Sequence, residues 1–247
     1  MMIIDAHHHL GACRVFDVEL TEDVIVATMD ANDVSMCVMQ PFPGAPDPRA
    51  VHDAIADMSV RHDKRFKGIA SLSPHCDAGD YFKEVERCIR KLGFVAVKLH
   101  TIGHAVNPMS ADAETIFVTA RDLGVPVMVH TGTGIPFADP ASVLSRAMQF
   151  PEVKVILAHG GHGFLGSPAV AVAKACPNVY IETSWSTAYD VLTAVYVVGA
   201  DRVMFGSDLP MNVKSELTKI RGLGLSEEIL RQVLGGTASR VFGIEAA

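Results

Sequence analysis

The sequence predicts an α/β chain folded as one eightfold parallel (β/α) barrel of the TIM type with extra C-terminal helices, and three observations carry that expectation. Short β-branched runs alternate with longer amphipathic segments from end to end. No low-complexity tract or charged linker divides them, so residues 1–247 are expected to form a single domain. The length of 247 residues matches the roughly 250 that such a barrel typically needs.

Strand-like runs fall at 2–9, 34–40, 66–72, 94–100, 126–132, 154–160, 179–185 and 202–208. Their near-even spacing leaves room between neighbours for one helix and two short loops. Thr21-Glu22-Asp23 puts acidic residues in a first helical turn, and 112–123 repeats apolar residues at helical spacing until Gly124 stops it. Beyond the eighth strand, a helix near 213–221, another opened by Ser226-Glu227-Glu228 and a closing segment 236–242 are expected to cover the outside of the last wall. The run 191–198 is apolar nearly all round, more than an outer barrel helix needs, which suggests a homodimer interface.

Composition narrows the function. With 49% hydrophobic and 20% charged residues the chain can bury a large core. A net charge of −7 without any Lys/Arg-rich run speaks against nucleic acid and anionic membranes as partners, leaving a small-molecule substrate. The start Met1-Met2-Ile3-Ile4-Asp5 has no basic segment before an apolar stretch, and five cysteines without a C-x-x-C pair read as reduced thiols. A cytoplasmic protein is expected.

Nine of the eleven histidines fall at predicted strand ends or in the loops just after them, where a parallel barrel gathers its active site. Strand side chains alternate, so His7 and His9 point one way and His8 the other. A lone strand-end histidine is ordinarily explained by hydrogen bonding in a polar rim, but His7, His9, His130 and Asp208 together give three imidazoles and a carboxylate, a donor set suited to a divalent ion such as zinc. His159 is the next imidazole at this rim, able to steady an oxyanion, act as acid or base, or add a ligand. Lys98, on the same strand face as His100, has three readings: a partner for a substrate carboxylate, a carbamylated bridge between two metals, or an amine reaching out from the core. His100, Arg14 and Trp185 are further candidates for contact with substrate.

The motifs Asp5-Ala6-His7-His8-His9-Leu10-Gly11, Val97-Lys98-Leu99-His100, Pro126-Val127-Met128-Val129-His130-Thr131-Gly132, Leu157-Ala158-His159-Gly160-Gly161 and Phe205-Gly206-Ser207-Asp208-Leu209-Pro210 run in order over nearly the whole chain. In this the sequence resembles the amidohydrolase superfamily, specifically the amidohydrolase-2 branch that holds metal-dependent hydrolases and aminocarboxymuconate semialdehyde decarboxylase-like enzymes. The resemblance implies a distorted barrel with His7, His9, His130 and Asp208 on a divalent metal, usually zinc, and His159 assisting catalysis. One ion is favoured over two, and manganese is an alternative to zinc. Decarboxylating relatives are generally longer, with insertions over the barrel mouth, so this compact chain is expected to be a hydrolase. It would cleave an ester, lactone or amide with metal-activated water, Asp208 and His159 being catalytic. Non-oxidative decarboxylation of an unsaturated or aromatic carboxylate is the alternative, and a noncatalytic metal-containing binding barrel a third.

Overall fold

A computed structural model describes residues 1–244. Its strands are β1 (Ile4–Cys13), β2 (Val18–Leu20), β3 (Met36–Pro41), β4 (Phe66–Ala70), β5 (Ala96–Leu99), β6 (Val127–Gly132), β7 (Val155–His162), β8 (Val179–Glu182) and β9 (Val203–Met204). The helices are α1 (Glu22–Ala31), α2 (Pro48–Arg61), α3 (Ala78–Arg90), α4 (Ala111–Leu123), α5 (Leu144–Gln149), α6 (Gly166–Ala175), α7 (Ala188–Val197), α8 (Val213–Arg221), α9 (Glu227–Arg231) and α10 (Thr237–Phe242). All eight expected strands are present and lie side by side in parallel, in the order β1-β3-β4-β5-β6-β7-β8-β9. The short β2, which the sequence reading left unassigned, pairs antiparallel with the end of β1.

The barrel is distorted at its seam. β9 has two residues, and closure onto β1 depends on a His8–Asp208 bridge, an Ala6 N–H to Phe205 O bond of 3.0 Å and an Asp208 N–H to His7 O bond of 2.7 Å. The Asp5 carboxylate reinforces the seam by accepting from the Ser207 N–H at 2.9 Å and the Ser207 hydroxyl at 2.5 Å. These contacts fix Asp208 beside His7 although 200 residues separate them in sequence.

Strand alternation divides the core in two. Val97, Leu99, Val127, Val129, Val155 and Leu157 pack outward against the helices, whereas Ala96, Met128, Ile156 and Ala158 fill the barrel. Lys98 and His130 continue the inward set. Ala238, Val241, Phe242 and Ile244 join that inner cluster beside Met2 and Met36, so the C-terminal segment plugs the end where the strands begin. This corrects the expectation that it covers the outer wall: its apolar face fits the open barrel floor. α7 turns Val191, Ala194 and Val195 inward and leaves Tyr189 and Tyr196 exposed. Among the described residues no helix is long and apolar enough to cross a membrane.

A buried polar clamp holds α2 and α3 on β4. His52 Nε2 accepts from the Ser71 N–H at 3.0 Å, so its Nδ1–H donates to Glu84 at 3.0 Å, and Arg87 donates to the same carboxylate at 2.8 and 3.0 Å. Burial alone would raise the pKa of Glu84, but the Arg87 and His52 hydrogen bonds outweigh it and hold the carboxyl at about 2. A depressed acid stabilises the fold fully above its unfolded pKa and loses that contribution as pH falls. Acid titration of the wild-type protein is therefore expected to lose on the order of 3 kcal/mol of stability from this group between pH 4.5 and 2. Denaturant melts across that window should show a shallower decline for Glu84→Gln.

Candidate metal centre and active site

The centre is built where β1 ends against β3 and the seam. The β1–β3 register slips by one residue between Asp5 and His8, a bulge of the kind that re-aims side chains, and His7 and His9 both face Asp208. Their Nε2 atoms lie 3.4 and 3.2 Å from Asp208 Oδ1. Burial lowers the pKa of His9.

The hydrogen bonds assign the tautomers. His7 Nε2 receives the Gln40 amide at 2.7 Å and the Lys98 amine at 3.1 Å, so the proton is on Nδ1, which donates to Glu182 at 2.8 Å. His9 Nδ1 donates to Pro41 O at 3.2 Å, leaving a lone pair on Nε2. Two imidazole nitrogens and a carboxylate oxygen thus face one another at a spacing that one cation could share, and the Gln40 amide, which also lies 3.3 Å from His9 Nε2, bridges the two nitrogens.

Further round the barrel a second chain of bonds leads to the same end. The Ser184 hydroxyl donates to Glu182 at 2.9 Å and accepts from His159 Nδ1 at 2.8 Å; His159 Nε2 then accepts from His130 Nδ1 at 3.2 Å. That leaves His130 Nε2 with its lone pair, buried and without a hydrogen-bond partner among the described residues. Burial presses the His130 pKa down to about 3 and that of His159 well below its usual value, so both imidazoles stay neutral. His7, His9 and Asp208 bring ligand atoms within 4.8 Å of one another, a set that fits a divalent ion, whereas the orphaned His130 nitrogen lies outside that set.

The other expected site residues distribute unevenly. Lys98 is fully buried beneath His7, and desolvation pulls its pKa to about 8. His100 stacks on His130, ring centroids 4.4 Å apart. Trp185 donates its indole N–H to Asp208 Oδ2 at 2.8 Å. Arg14 is exposed on the turn between β1 and β2 and is not among the residues lining the cavity. Sequence reasoning missed Glu182 and Gln40, each the polar member of an otherwise mainly apolar strand end, Ile181-Glu182 and Met39-Gln40. His159, Trp185 and Asp208 all have left-handed backbones, with φ of 67°, 62° and 68°. Such strain costs on the order of 1–3 kcal/mol per residue and gathers at functional sites.

Above this centre opens a cavity of about 490 Å³, within the range of small-molecule sites. His9, His100, His130, His159 and Asp208 are its polar lining, and Phe42, Pro43, Trp185 and Leu209 are among its walls. Among the described residues no lysine or arginine lines it.

The sequence profile of the amidohydrolase family matches residues 4–244. A gamma-resorcylate decarboxylase from a Polaromonas species is 24% identical over 78% of this chain and 75% of its own length. A 2-keto-4-carboxy-3-hexenedioate hydratase from a Sphingobium species is 25% identical over 58% of this chain, which spans about half of that relative. Among solved structures, a dihydroxybenzoic acid decarboxylase from Polaromonas with bound manganese and the inhibitor 2-nitroresorcinol superposes with a TM-score of 0.81, at 19% identity over 100% of this chain and 98% of that one. These matches correct the expectation of ester, lactone or amide hydrolysis: the aligned relatives are a decarboxylase and a hydratase, and the aligned structure is a decarboxylase. Compactness was a poor guide, because the alignment with a decarboxylase runs through most of both chains. With the profile spanning the barrel from β1 to its C-terminal plug, the chain is an enzyme of the amidohydrolase family.

Proposed function

We propose that the protein is a metal-dependent, non-oxidative decarboxylase of an unsaturated or aromatic carboxylate. The observation that carries this reading is the polarity of the cavity, whose ionisable groups cluster at one end beneath apolar walls. With no lysine or arginine in the lining among the described residues, the positive partner of a substrate carboxylate would be a cation that His7, His9 and Asp208 would hold, with His130 as the further expected ligand. A divalent ion, manganese or zinc and one rather than two, would supply charge to chelate the substrate and withdraw electrons from it. Apolar walls exclude water and favour a transition state in which the carboxylate charge spreads into the conjugated system.

Proton handling falls to Asp208. Both nitrogens of His159 are engaged, by Ser184 and His130, which makes His159 a positioning residue for His130. Among the described residues the Trp185 indole is the one hydrogen-bond donor to Asp208 Oδ2, and Asp208 borders the cavity. Ionised at rest, it takes a proton from water or an acidic hydroxyl of the substrate. As the bond to the carboxylate breaks, the electron pair stays on carbon, carbon dioxide leaves, and Asp208 returns the proton to that carbon. The decarboxylase relative supports the reading of the reaction as a decarboxylation. The five free cysteines fit a reducing cytoplasm, and the substrate is a small molecule.

The test is a panel of hydroxybenzoates and conjugated acids given to protein stripped with a chelator and repleted with manganese or zinc. One carbon dioxide released per substrate consumed, only after repletion, is the expected result. Hydration of a double bond without carbon dioxide would overturn the assignment in favour of the chemistry named for the Sphingobium relative.

A further inference from the structure

Large apolar side chains ring the outer part of the cavity. Val15, Phe16 and Val18 on the β1–β2 hairpin, with Ile102 and Met211 from loops across the opening, all line it and are 40–71% exposed. The hairpin's β2 strand is sided: Val18 and Leu20 face the cavity, while Glu19 between them is not part of its lining. Single exposed apolar residues need no explanation, but five around one opening, continuous with a polar floor, mark a binding surface.

We infer that this rim is a hydrocarbon subsite, and that the preferred substrate is a carboxylate bearing an apolar substituent opposite its acid group, with no second charge at that far end. The inference rests on the acid-end reading above for its orientation. Inside the cavity, Asp208, His9, His130 and His159 leave room for the acid at the floor, and the side chains at the opening offer neither a cation nor a hydrogen-bond donor to a distal carboxylate. A hydrocarbon tail would cover the Phe16 and Met211 side chains, whose exposures of 67% and 71% otherwise leave apolar surface in water.

Isothermal titration of the zinc-loaded full chain with unreactive ligands tests this. Benzoate, 4-butylbenzoate and benzene-1,4-dicarboxylate form the acid series; benzamide and 4-butylbenzamide form a neutral pair. Each buried methylene tightens binding about fourfold, so the butyl group is expected to gain at least about fiftyfold in both series. The second carboxylate is expected to bind at least about tenfold more weakly than benzoate. The exposed double variant Phe16→Ser/Met211→Ser should cut the butyl gain below about tenfold. A butyl gain under about threefold in both series, or a dicarboxylate that binds more tightly than benzoate, overturns the subsite. So does a rim that holds two copies together, read as a mass that falls in the variant with no butyl gain. If the butyl gain persists but acids bind no better than amides, the subsite stands and the acid-end reading fails.

Discussion

Asp208→Asn is expected to lower the rate of carbon dioxide release by at least about a thousandfold while the barrel stays folded. The substitution keeps the size of the side chain and removes its charge. Asp208 Oδ1 faces two imidazole nitrogens and Oδ2 accepts the Trp185 indole N–H at 2.8 Å. An asparagine amide must either turn its NH₂ toward the indole, setting donor against donor, or turn it toward His7 and His9 Nε2, where it competes with a cation for their lone pairs. Both orientations remove a carboxylate ligand and leave no group at this position that can take up a proton and return it. Loss of a positioned acid or base typically costs 10²–10⁴ in rate, and loss of a charged ligand adds to it. Steady-state kinetics at increasing manganese, paired with elemental analysis, separates the two effects. If the variant recovers the wild-type rate once its metal site is full, Asp208 is a ligand only and its proposed proton role is wrong.

How this centre could be read from sequence depends on which feature of the chain encodes each residue. His7 and His9 were legible because strand alternation is local, and a one-residue bulge between Asp5 and His8 leaves both rings facing Asp208. His130 and Asp208 were legible as strand-end positions, since a parallel barrel delivers every such end to one rim. Glu182 was not. Its strand has four residues, too few for a periodic pattern, and its partners His7 and Ser184 are joined to it only by barrel closure. Gln40 escaped for a different reason, as the lone polar side chain at the end of the apolar run before Pro41. The C-terminal plug misled because an amphipathic helix shows that it has an apolar face and not which surface that face will meet. The choice between hydrolysis and carbon chemistry lies at a further remove. One set of imidazoles and a carboxylate serves both, and the difference resides in cavity walls contributed by loops whose side chains meet only in the folded chain.

Glu182 supplies the strongest test of that hidden layer. Its carboxylate is fully buried and is the junction of two arms: it receives the His7 Nδ1–H at 2.8 Å, and through the Ser184 hydroxyl at 2.9 Å it orients His159 and hence His130. It also accepts the backbone N–H groups of His159 at 3.1 Å and Ser184 at 2.5 Å. Every partner is a donor, so glutamine cannot substitute. With its oxygen kept toward His7, the new NH₂ meets the Ser184 N–H; turned over, it meets His7, His159 and the serine hydroxyl. A buried donor left unpaired costs about 1–3 kcal/mol, which for a chain of this size lowers the melting temperature by several degrees. The larger effect is expected at the metal, because a histidine whose far nitrogen loses its carboxylate is both less basic and less firmly aimed. Glu182→Gln should weaken manganese binding about 10- to 100-fold, measured by titration against a competing chelator. Its kcat at saturating manganese should stay below wild type as well, since the His159–His130 arm is disturbed together with His7. A variant that loses thermal stability but binds manganese with wild-type affinity would show that Glu182 serves the fold and leaves the metal ligands as they are.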